Sequence, residues 1–342
     1  MMPGVSVVVP AKDAAETLPA CLRALQQQSF PGSDYEIILV DDGSADRTAH
    51  IAEEAGVRVI RQKTRGPAAA RNSGAKAAKG DILVFTDSDC EPAEGFIEAM
   101  VRPFADPDVA AVMGAYRSRQ PEPIAQFVQL EFEHKQERMA RHGAINAVHT
   151  YAAAYRRRVF EAFGGFDESY PVPSNEDQEF SYRLARAGLK MVFQPQAIVF
   201  HTHDRTLGEF LQRKFRLGYW KALTLRKHPQ HLRGDTHTPR SQQLQILIVL
   251  PMSLAVLAIP LAPFMGWAAA GMGALFLLSG MPFAVSAAKR APWLLWMIPG
   301  MLLARAYAQA LGLAAGFLRL AFWRPLRGRD EHAVDAAVNK DD

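Results

Sequence analysis

The stretch "LVFTDSDCEP" (residues 83–92) runs from apolar side chains into two aspartates one residue apart. Carboxylates at this spacing, Asp87 and Asp89, can converge on one hard divalent cation, which prefers oxygen ligands. They can equally cap the next helix or solvate a turn. Counted as a calcium loop from Asp87, Glu98 falls at position 12, but Pro92 stands at position 6 where the sharp turn needs glycine. A nucleoside-diphosphate site, with a metal bridging protein and phosphates, fits the pair better. Three other stretches carry similar potential. In "VDDGSADRT", Asp41 and Asp42 either form a turn or set a carboxylate on a base or ribose. "RGPAAARNSGAKAAKGD" matches neither a P-loop nor a dinucleotide fingerprint, yet it sets Arg71 and Asn72 one turn into a helix. An arginine there can meet a diphosphate or lie on the surface. In "NEDQEFSYRLARAG", Glu176 and Asp177 precede an apolar-periodic helix. Carboxylates favour a helix N-terminus, and one at the mouth of a sheet can act as a general base.

These residues need a frame. "VSVVVP", "EIILVD", "VRVIRQ", "DILVFT" and "VAAVMG" read as short strands rich in Val and Ile. "AETLPACLRALQQQ", "ADRTAHIAEEA" and "PAAARNSGAKAAK" lie between them with helical spacing. Such alternation predicts an α/β fold with a parallel sheet, helices on both faces, and ligands beyond the carboxyl ends of the strands. Asp13, Asp41, Asp42, Asp87 and Asp89 all fall just after such runs. Residues 116–150 break the pattern with a long polar helix, "FVQLEFEHKQERMARHG", of the kind found in a lid or acceptor-binding insertion. Two strand-like runs follow, "MVFQP" and "AIVFHTH".

Charge divides the chain. Residues 1–243 hold 31 Lys+Arg against 30 Asp+Glu, as in a soluble domain, whereas residues 244–318 hold only Lys289, Arg290 and Arg305. The second composition is that of membrane helices. The sequence therefore predicts a domain over 1–243, a membrane domain of two to three helices over 244–320, and a basic, polar cytosolic tail over 321–342. The first two apolar segments are each long enough to span a bilayer. The third, "PWLLWMIPGMLLARAYAQALGLAAGFL", contains Arg305 and Gln309 and reads as a tilted span, a hairpin or an interfacial helix. Residues 205–240 carry nine Lys+Arg against two acidic residues, which places the preceding domain in the cytosol by the positive-inside rule. The basic stretch "QRKFRLGYWKALTLRKHPQHLR" also suits an anionic leaflet, with Tyr219 and Trp220 at the interface. The N-terminus does not read as a signal peptide, and Cys21 and Cys90 suggest no disulfide, in keeping with a reducing compartment. The expected location is a multi-pass protein of the cytoplasmic (inner) membrane. A net charge of +4 is too small to argue for nucleic acid.

Taken in order, "VVVPAKD", "VDDGSAD", "GPAAARNSG", "TDSD", "GGFDE" and "ED" resemble glycosyltransferase family 2, over about residues 5–220. The resemblance implies the GT-A fold, a Rossmann-like parallel or mixed sheet, here followed by C-terminal transmembrane helices. It also implies roles for individual residues. Pro10 and Asp13 would line the nucleotide pocket, Asp42 would contact base or ribose, and Arg71, Asn72 and Ser88 would lie near the nucleotide. Asp87 and Asp89 match the D-x-D motif, with Asp89 in direct contact with Mg2+ or Mn2+. Gly165, Phe166 and Asp167 match the acceptor-side segment, and Asp177, beside Glu176, matches the catalytic base. His201 is either a further metal or diphosphate contact or the cap of a strand. The implied reaction is transfer of one sugar, with inversion, from a UDP- or GDP-linked donor to a hydroxyl of a lipid-linked or cell-envelope glycan acceptor. A processive polysaccharide synthase fits less well, since "LQRKFRLGYW" has the wrong spacing for Q-x-x-R-W and looks more like the K-F-R-x-G run of enzymes that add one sugar. A non-catalytic nucleotide-sugar-binding scaffold is the rival from another class. A nucleotidyltransferase would need a Gly- and Lys-rich loop where "PAKDAAE" stands.

Overall fold

Val and Ile, branched at Cβ, pack well on a pleated surface, so the short apolar runs become strands. The computed structural model describes residues 4–31, 34–230 and 236–322. The predicted tail from residue 323 onward lies outside them. Strands β1 (Val5–Ala11), β2 (Tyr35–Asp41), β3 (Arg58–Arg61) and β4 (Ile82–Phe85) pair in parallel, linked by helices α1 (Leu18–Gln26), α2 (Thr48–Glu54) and α3 (Pro67–Ala77). The chain continues through β5 (Cys90–Pro92), α4 (Phe96–Val101), β6 (Val109–Arg117), α5 (Pro123–Ala140), β7 (Ala153–Arg156), α6 (Arg157–Ala162), α7 (Glu176–Arg186) and β8 (Lys190–His201). The eight strands form one mixed sheet in the order β3-β2-β1-β4-β7-β6-β8-β5. β7 is antiparallel to both β4 and β6.

Several details depart from the sequence expectation. β5 and β7 are only three and four residues long, too short to leave a pattern. "MVFQP" and "AIVFHTH" join into the single strand β8. Pro195, which has no N–H to give, lies outside the three residues, Val199 to His201, that β8 pairs with β5. Val7, Val8, Val9, Ile38, Leu39, Leu83, Val84 and Phe85 are fully buried. Phe85, Tyr155, Phe160, Phe166 and Phe180 extend this core as an aromatic cluster with ring separations of 5.1 to 6.2 Å.

Contacts divide the chain into two compact units, one collecting residues up to 116 and residues 143–201, the other residues 117–142 and 202–319. The division therefore does not fall at residue 243. The second unit consists of α5, α8 (Leu207–Lys227), α9 (Arg240–Ala258), α10 (Met265–Arg290) and α11 (Ile298–Phe322). Phe127 and Leu130 of α5 and Phe210 of α8 share a core with Phe276, Phe283, Leu302 and Ala306. Their apolar stripes find partners among the C-terminal helices, which is why these two helices belong to the helical unit.

α9, α10 and α11, at 19, 26 and 25 residues, are each long and apolar enough to cross a membrane. Leu257 of α9 and Trp267 of α10 are more than 70% exposed, as are Leu261 and Trp296 in the segments that connect the helices. α11 is one unbroken helix, which removes the hairpin reading of the third segment.

α8 and α11 meet backbone to backbone. A Cβ placed on Gly218 would strike the Gln309 carbonyl, one on Gly312 the Phe215 carbonyl, and one on Gly316 the Tyr219 carbonyl. Gly312 and Gly316 form the small-x-x-x-small spacing that lets membrane helices approach closely. The glycine of K-F-R-x-G, Gly218, thus serves helix packing. Its lysine, Lys214, is buried, and Arg213 pairs with Asp204 at 2.8 Å, so these two basic groups are engaged within the helical unit. Gly312→Val is expected to destabilise the helical unit by about 2 kcal/mol, an overpacking effect, read as a lower thermal midpoint in detergent. An unchanged midpoint would refute the close approach.

Candidate active site

β1, β2 and β4 run in parallel, with Ala11 opposite Asp41 and Val8 opposite Phe85, so their carboxyl ends share one edge of the sheet. Asp13 follows β1 and is exposed in the left-handed region (φ 49°), a conformation that is costly for a non-glycine residue and tends to occur at functional positions. The residue is held from both sides: its N–H donates to Ser44 Oγ (2.9 Å), and its Oδ1 accepts from the Ala45 N–H (2.7 Å). Asp41 at the end of β2 accepts from the Ser44 N–H (2.9 Å). Asp42 is buried and committed to its own chain. Its oxygens accept from Gln62 Nε2 (2.7 Å) and the N–H groups of Arg65 and Gly66 (both 2.8 Å), which fixes the loop that enters α3. Gly66 must be glycine, for its φ is 93° and a Cβ would sit 2.7 Å from the Pro171 carbonyl. Pro10 is half-buried near the end of β1, and Ser88 is half-buried between the two aspartates.

Arg71, one turn into α3, is not a surface residue. Its side chain is 4% exposed, with Nη2 donating to Asp87 Oδ1 (2.7 Å) and Nη1 to Glu176 Oε1 (2.9 Å). The second oxygen of Glu176 accepts from the Ser174 N–H (2.9 Å). Arg71 therefore ties the aspartate pair after β4 to the start of α7. Asn72 clamps the acceptor-motif segment: Nδ2 donates to the Phe166 carbonyl (2.8 Å), and Oδ1 accepts from the Phe166 N–H (2.9 Å). Gly165 (φ 69°) has no room for a side chain against Asn72, and Asp167 caps a turn by accepting from the Ser169 N–H (2.9 Å).

Asp89 has 45% of its side chain exposed and lies 3.0 Å from His201 Nε2. Burial of its site would raise its carboxyl, but the hydrogen bond and charge of His201 hold it below its ordinary value. His201 in turn stacks on Tyr116 (4.9 Å). Donor atoms of Asp87, Asp89 and Cys90 lie within 4.8 Å of one another. Burial pushes the Cys90 thiol well above its usual value, and the charges of Asp87 and Asp89 add to that. A protonated sulfur is a poor ligand for a hard cation, so the two carboxylates fit an oxygen-preferring divalent ion and Cys90 does not.

Asp177, in the first turn of α7, accepts from the Gln178 N–H on Oδ1 (2.6 Å) and the Thr150 N–H on Oδ2 (3.3 Å). Oδ2 also lies 3.1 Å from His149 Nδ1. Burial alone would raise its carboxyl, yet the charge and hydrogen bond of His149, then the charge of Arg71, keep it below its ordinary value. Glu176 moves the other way, raised by burial and by the charge of Asp177 despite Arg71. The side chain of Asp177 is 12% exposed and that of Glu176 3%. Sequence reasoning did not single out His149, which lies in an irregular segment 28 residues from its partner.

A mixed sheet with carboxylates past its parallel strands agrees with the GT-A fold that the sequence resemblance implies. Residues 6–164 match the family model "Glycosyl transferase family 2". The "Pre-mycofactocin glycosyltransferase" of Mycobacterium tuberculosis is 30% identical over 235 residues, covering 66% of this chain and 48% of that protein. "Glycosyltransferase AglE" of Haloferax volcanii is 30% identical over 229 residues, covering 64% of this chain and 72% of that protein. The solved structure of a mannosyltransferase, PcManGT, from Pyrobaculum calidifontis in complex with GDP-Man and Mn2+ superposes with a TM-score of 0.59 at 20% identity, over 94% of this chain and 88% of that one. The chain belongs to glycosyltransferase family 2. It spans about half the length of the mycobacterial relative.

Proposed function

We propose that this protein is a membrane-bound, inverting glycosyltransferase that moves one sugar from a nucleoside-diphosphate donor to a hydroxyl acceptor. The observation that carries the reading is the gathering of Asp13, Asp42, Asp87 and Asp89 past three parallel strands, in the same unit as the Asp177–His149 pair. Asp13 and the loop fixed by Asp42 shape the nucleotide pocket, with Pro10 and Ser88 at its wall. Asp89, the more exposed of the two aspartates, is the better metal contact, with Asp87 and His201 beside it. When bound, a divalent cation, Mg2+ or Mn2+, supplies positive charge against the diphosphate. The mannosyltransferase similar in fold was solved with GDP-Man and Mn2+, in line with this assignment.

Asp177 is the general base and Glu176 its buried neighbour, which positions Arg71. The acceptor hydroxyl gives its proton to Asp177 while its oxygen attacks the anomeric carbon from the face opposite the nucleotide. One in-line displacement inverts the configuration. Gly165, Phe166 and Asp167 border the acceptor side. Three apolar helices on the same chain, preceded by a basic segment, support a lipid-linked or cell-envelope acceptor and a catalytic unit on the cytosolic face. Nucleoside-diphosphate release from a panel of UDP- and GDP-sugars, with Mn2+ or Mg2+ present, tests the reading.

His149 adds a pH prediction. The base acts deprotonated, so activity falls as pH drops through the pKa of Asp177. His149→Phe removes the main influence holding that pKa down and leaves burial, which raises it. The acid limb of kcat/KM is therefore expected to move to higher pH in His149→Phe. An unmoved limb would exclude His149 from this role.

A further inference from the structure

α11 is long and apolar enough to cross a bilayer, yet its contacts disagree with a crossing. α9 holds no charged residue after Arg240, and α10 none before Lys289. α11 holds Arg305 and Arg319, with only 13 residues between them. A span needs about 20 predominantly apolar residues. Arg305 is tied to other helices: its Nη1 donates to Glu131 Oε1 on α5, and its Nη2 to Gln245 Oε1 on α9 at 2.5 Å. Lys214 of α8 donates to the other oxygen of Glu131 at 2.8 Å. Gln309 Oε1 accepts from Gln242 Nε2 at 3.1 Å. Gln242 and Gln245 stand in the first two turns of α9, so the middle of α11 meets the beginning of α9 and not its middle. Arg290, at the end of α10, pairs with Glu133 of α5 at 3.2 Å. α5 therefore marks the side on which α9 begins and α10 ends.

The C-terminal half of α11 is held against α8. Gly218, Gly312 and Gly316 bring the two backbones together. Arg319 lies over the rings of Tyr219 and Trp220 (5.6 and 5.3 Å) and donates to the Tyr219 hydroxyl (2.9 Å). From Gln309 to Arg319, α11 thus shares the depth of α8. That depth is not hydrocarbon, because α8 carries Arg213, Lys214, Arg216, Lys221, Arg226 and Lys227, and charges in the bilayer core are costly. Leu311, Leu318 and Phe322 recur at intervals of seven and four, face away from the two glycines of α11, and are 50, 61 and 88% exposed. An outward apolar stripe with arginine, tyrosine and tryptophan side by side suits the headgroup level, where amphipathic side chains gather.

We propose that α11 does not cross the bilayer but lies with α8 in the membrane interface, on the side where α9 begins. Its partner is the lipid surface of that leaflet, with Leu311, Leu318 and Phe322 set into the boundary between headgroups and acyl chains. The described helices then cross twice, through α9 and α10. Arg324, Arg327 and Arg329, which follow in the sequence, stay on the same side as the cations of α8, as the positive-inside rule favours. The proposal does not depend on the glycosyltransferase reading.

Cysteine labelling of the full-length protein in bacterial membranes reads the topology without any need for activity. Cys21 and Cys90 are buried, so the background is low. A membrane-impermeant maleimide is applied to spheroplasts and to inverted vesicles. Leu261→Cys, in the connection between α9 and α10, is expected to label at least tenfold better from one face. Arg141→Cys, at the end of α5, and a cysteine added after Asp342 are both expected to label at least tenfold better from the other. A nitroxide on Leu311→Cys, halfway along α11, gives a second readout in liposomes. Interfacial placement puts it within about 10 Å of the headgroups, whereas a span puts it near the bilayer centre, about 15 Å deep. Labelling of the added cysteine from the same face as Leu261→Cys, or a nitroxide at the bilayer centre, would overturn the proposal.

Discussion

Asp177→Asn is expected to lower kcat by about 10³-fold while the donor Kd stays within a factor of about three, the size of effect seen when a positioned general base is removed. Asparagine is nearly isosteric, and its one oxygen can still accept from either the Gln178 N–H or the Thr150 N–H, though not from both. What it cannot do is take a proton. The companion Glu176→Gln discriminates between the two carboxylates. Both oxygens of Glu176 are already engaged, by Arg71 and the Ser174 N–H, and its side chain is nearly inaccessible. Its loss is therefore expected to act through a loosened Arg71, appearing as a lower thermal midpoint and a weaker donor affinity rather than as a loss confined to kcat. Equal kcat in wild type and Asp177→Asn would remove Asp177 from the chemistry.

Asp89→Ala is the second large effect. Asp89 is the more exposed of the two aspartates, and Asp87 is tied to the buried Arg71. Removing Asp89 is expected to cut turnover by about 10²- to 10³-fold, comparable to losing one electrostatic contact to the developing charge. The loss should be only partly recovered at high Mn2+, and chelation of the wild type should mimic it. Cys90→Ser serves as the control, since a buried, protonated thiol has no part in holding a hard cation, and it should leave metal dependence as it is. Wild-type turnover that survives complete chelation would contradict the metal assignment.

Much of the site was legible because its residues follow strands that announce themselves. Val5–Val9 and Ile82–Phe85 are dense apolar runs, and a parallel sheet puts what comes next on one edge. What escaped notice depends on contacts far apart in sequence. For Arg71 the sequence leaves a diphosphate contact and a surface position both open, because nothing near it reveals the two carboxylates, 16 and 105 residues away, that draw it inside. The resemblance places Asn72 near the nucleotide, while its hold on the backbone of Phe166 and on Glu168 emerges only from geometry. His149 lies in a segment without periodicity. Asp42 was legible as important, while its use in fixing the Arg65–Gly66 loop emerges only from geometry. The same holds for the helical unit. The apolar length of α9, α10 and α11 is plain in composition, yet the recruitment of α5 and α8 rests on single apolar stripes and on the glycines at 218, 312 and 316 that bring two backbones together.

The central claim is that this chain binds a nucleotide sugar and breaks its glycosidic bond to the diphosphate. The most direct measurement is nucleoside-diphosphate release by the purified full-length protein from UDP- and GDP-linked sugars with Mn2+ present, run beside Asp177→Asn with donor binding followed by calorimetry. The expected result is release from at least one donor by the wild type, and binding of that donor without comparable release by the variant. Failure of the wild type to bind any nucleotide sugar, or equal release by the two proteins, would contradict the account.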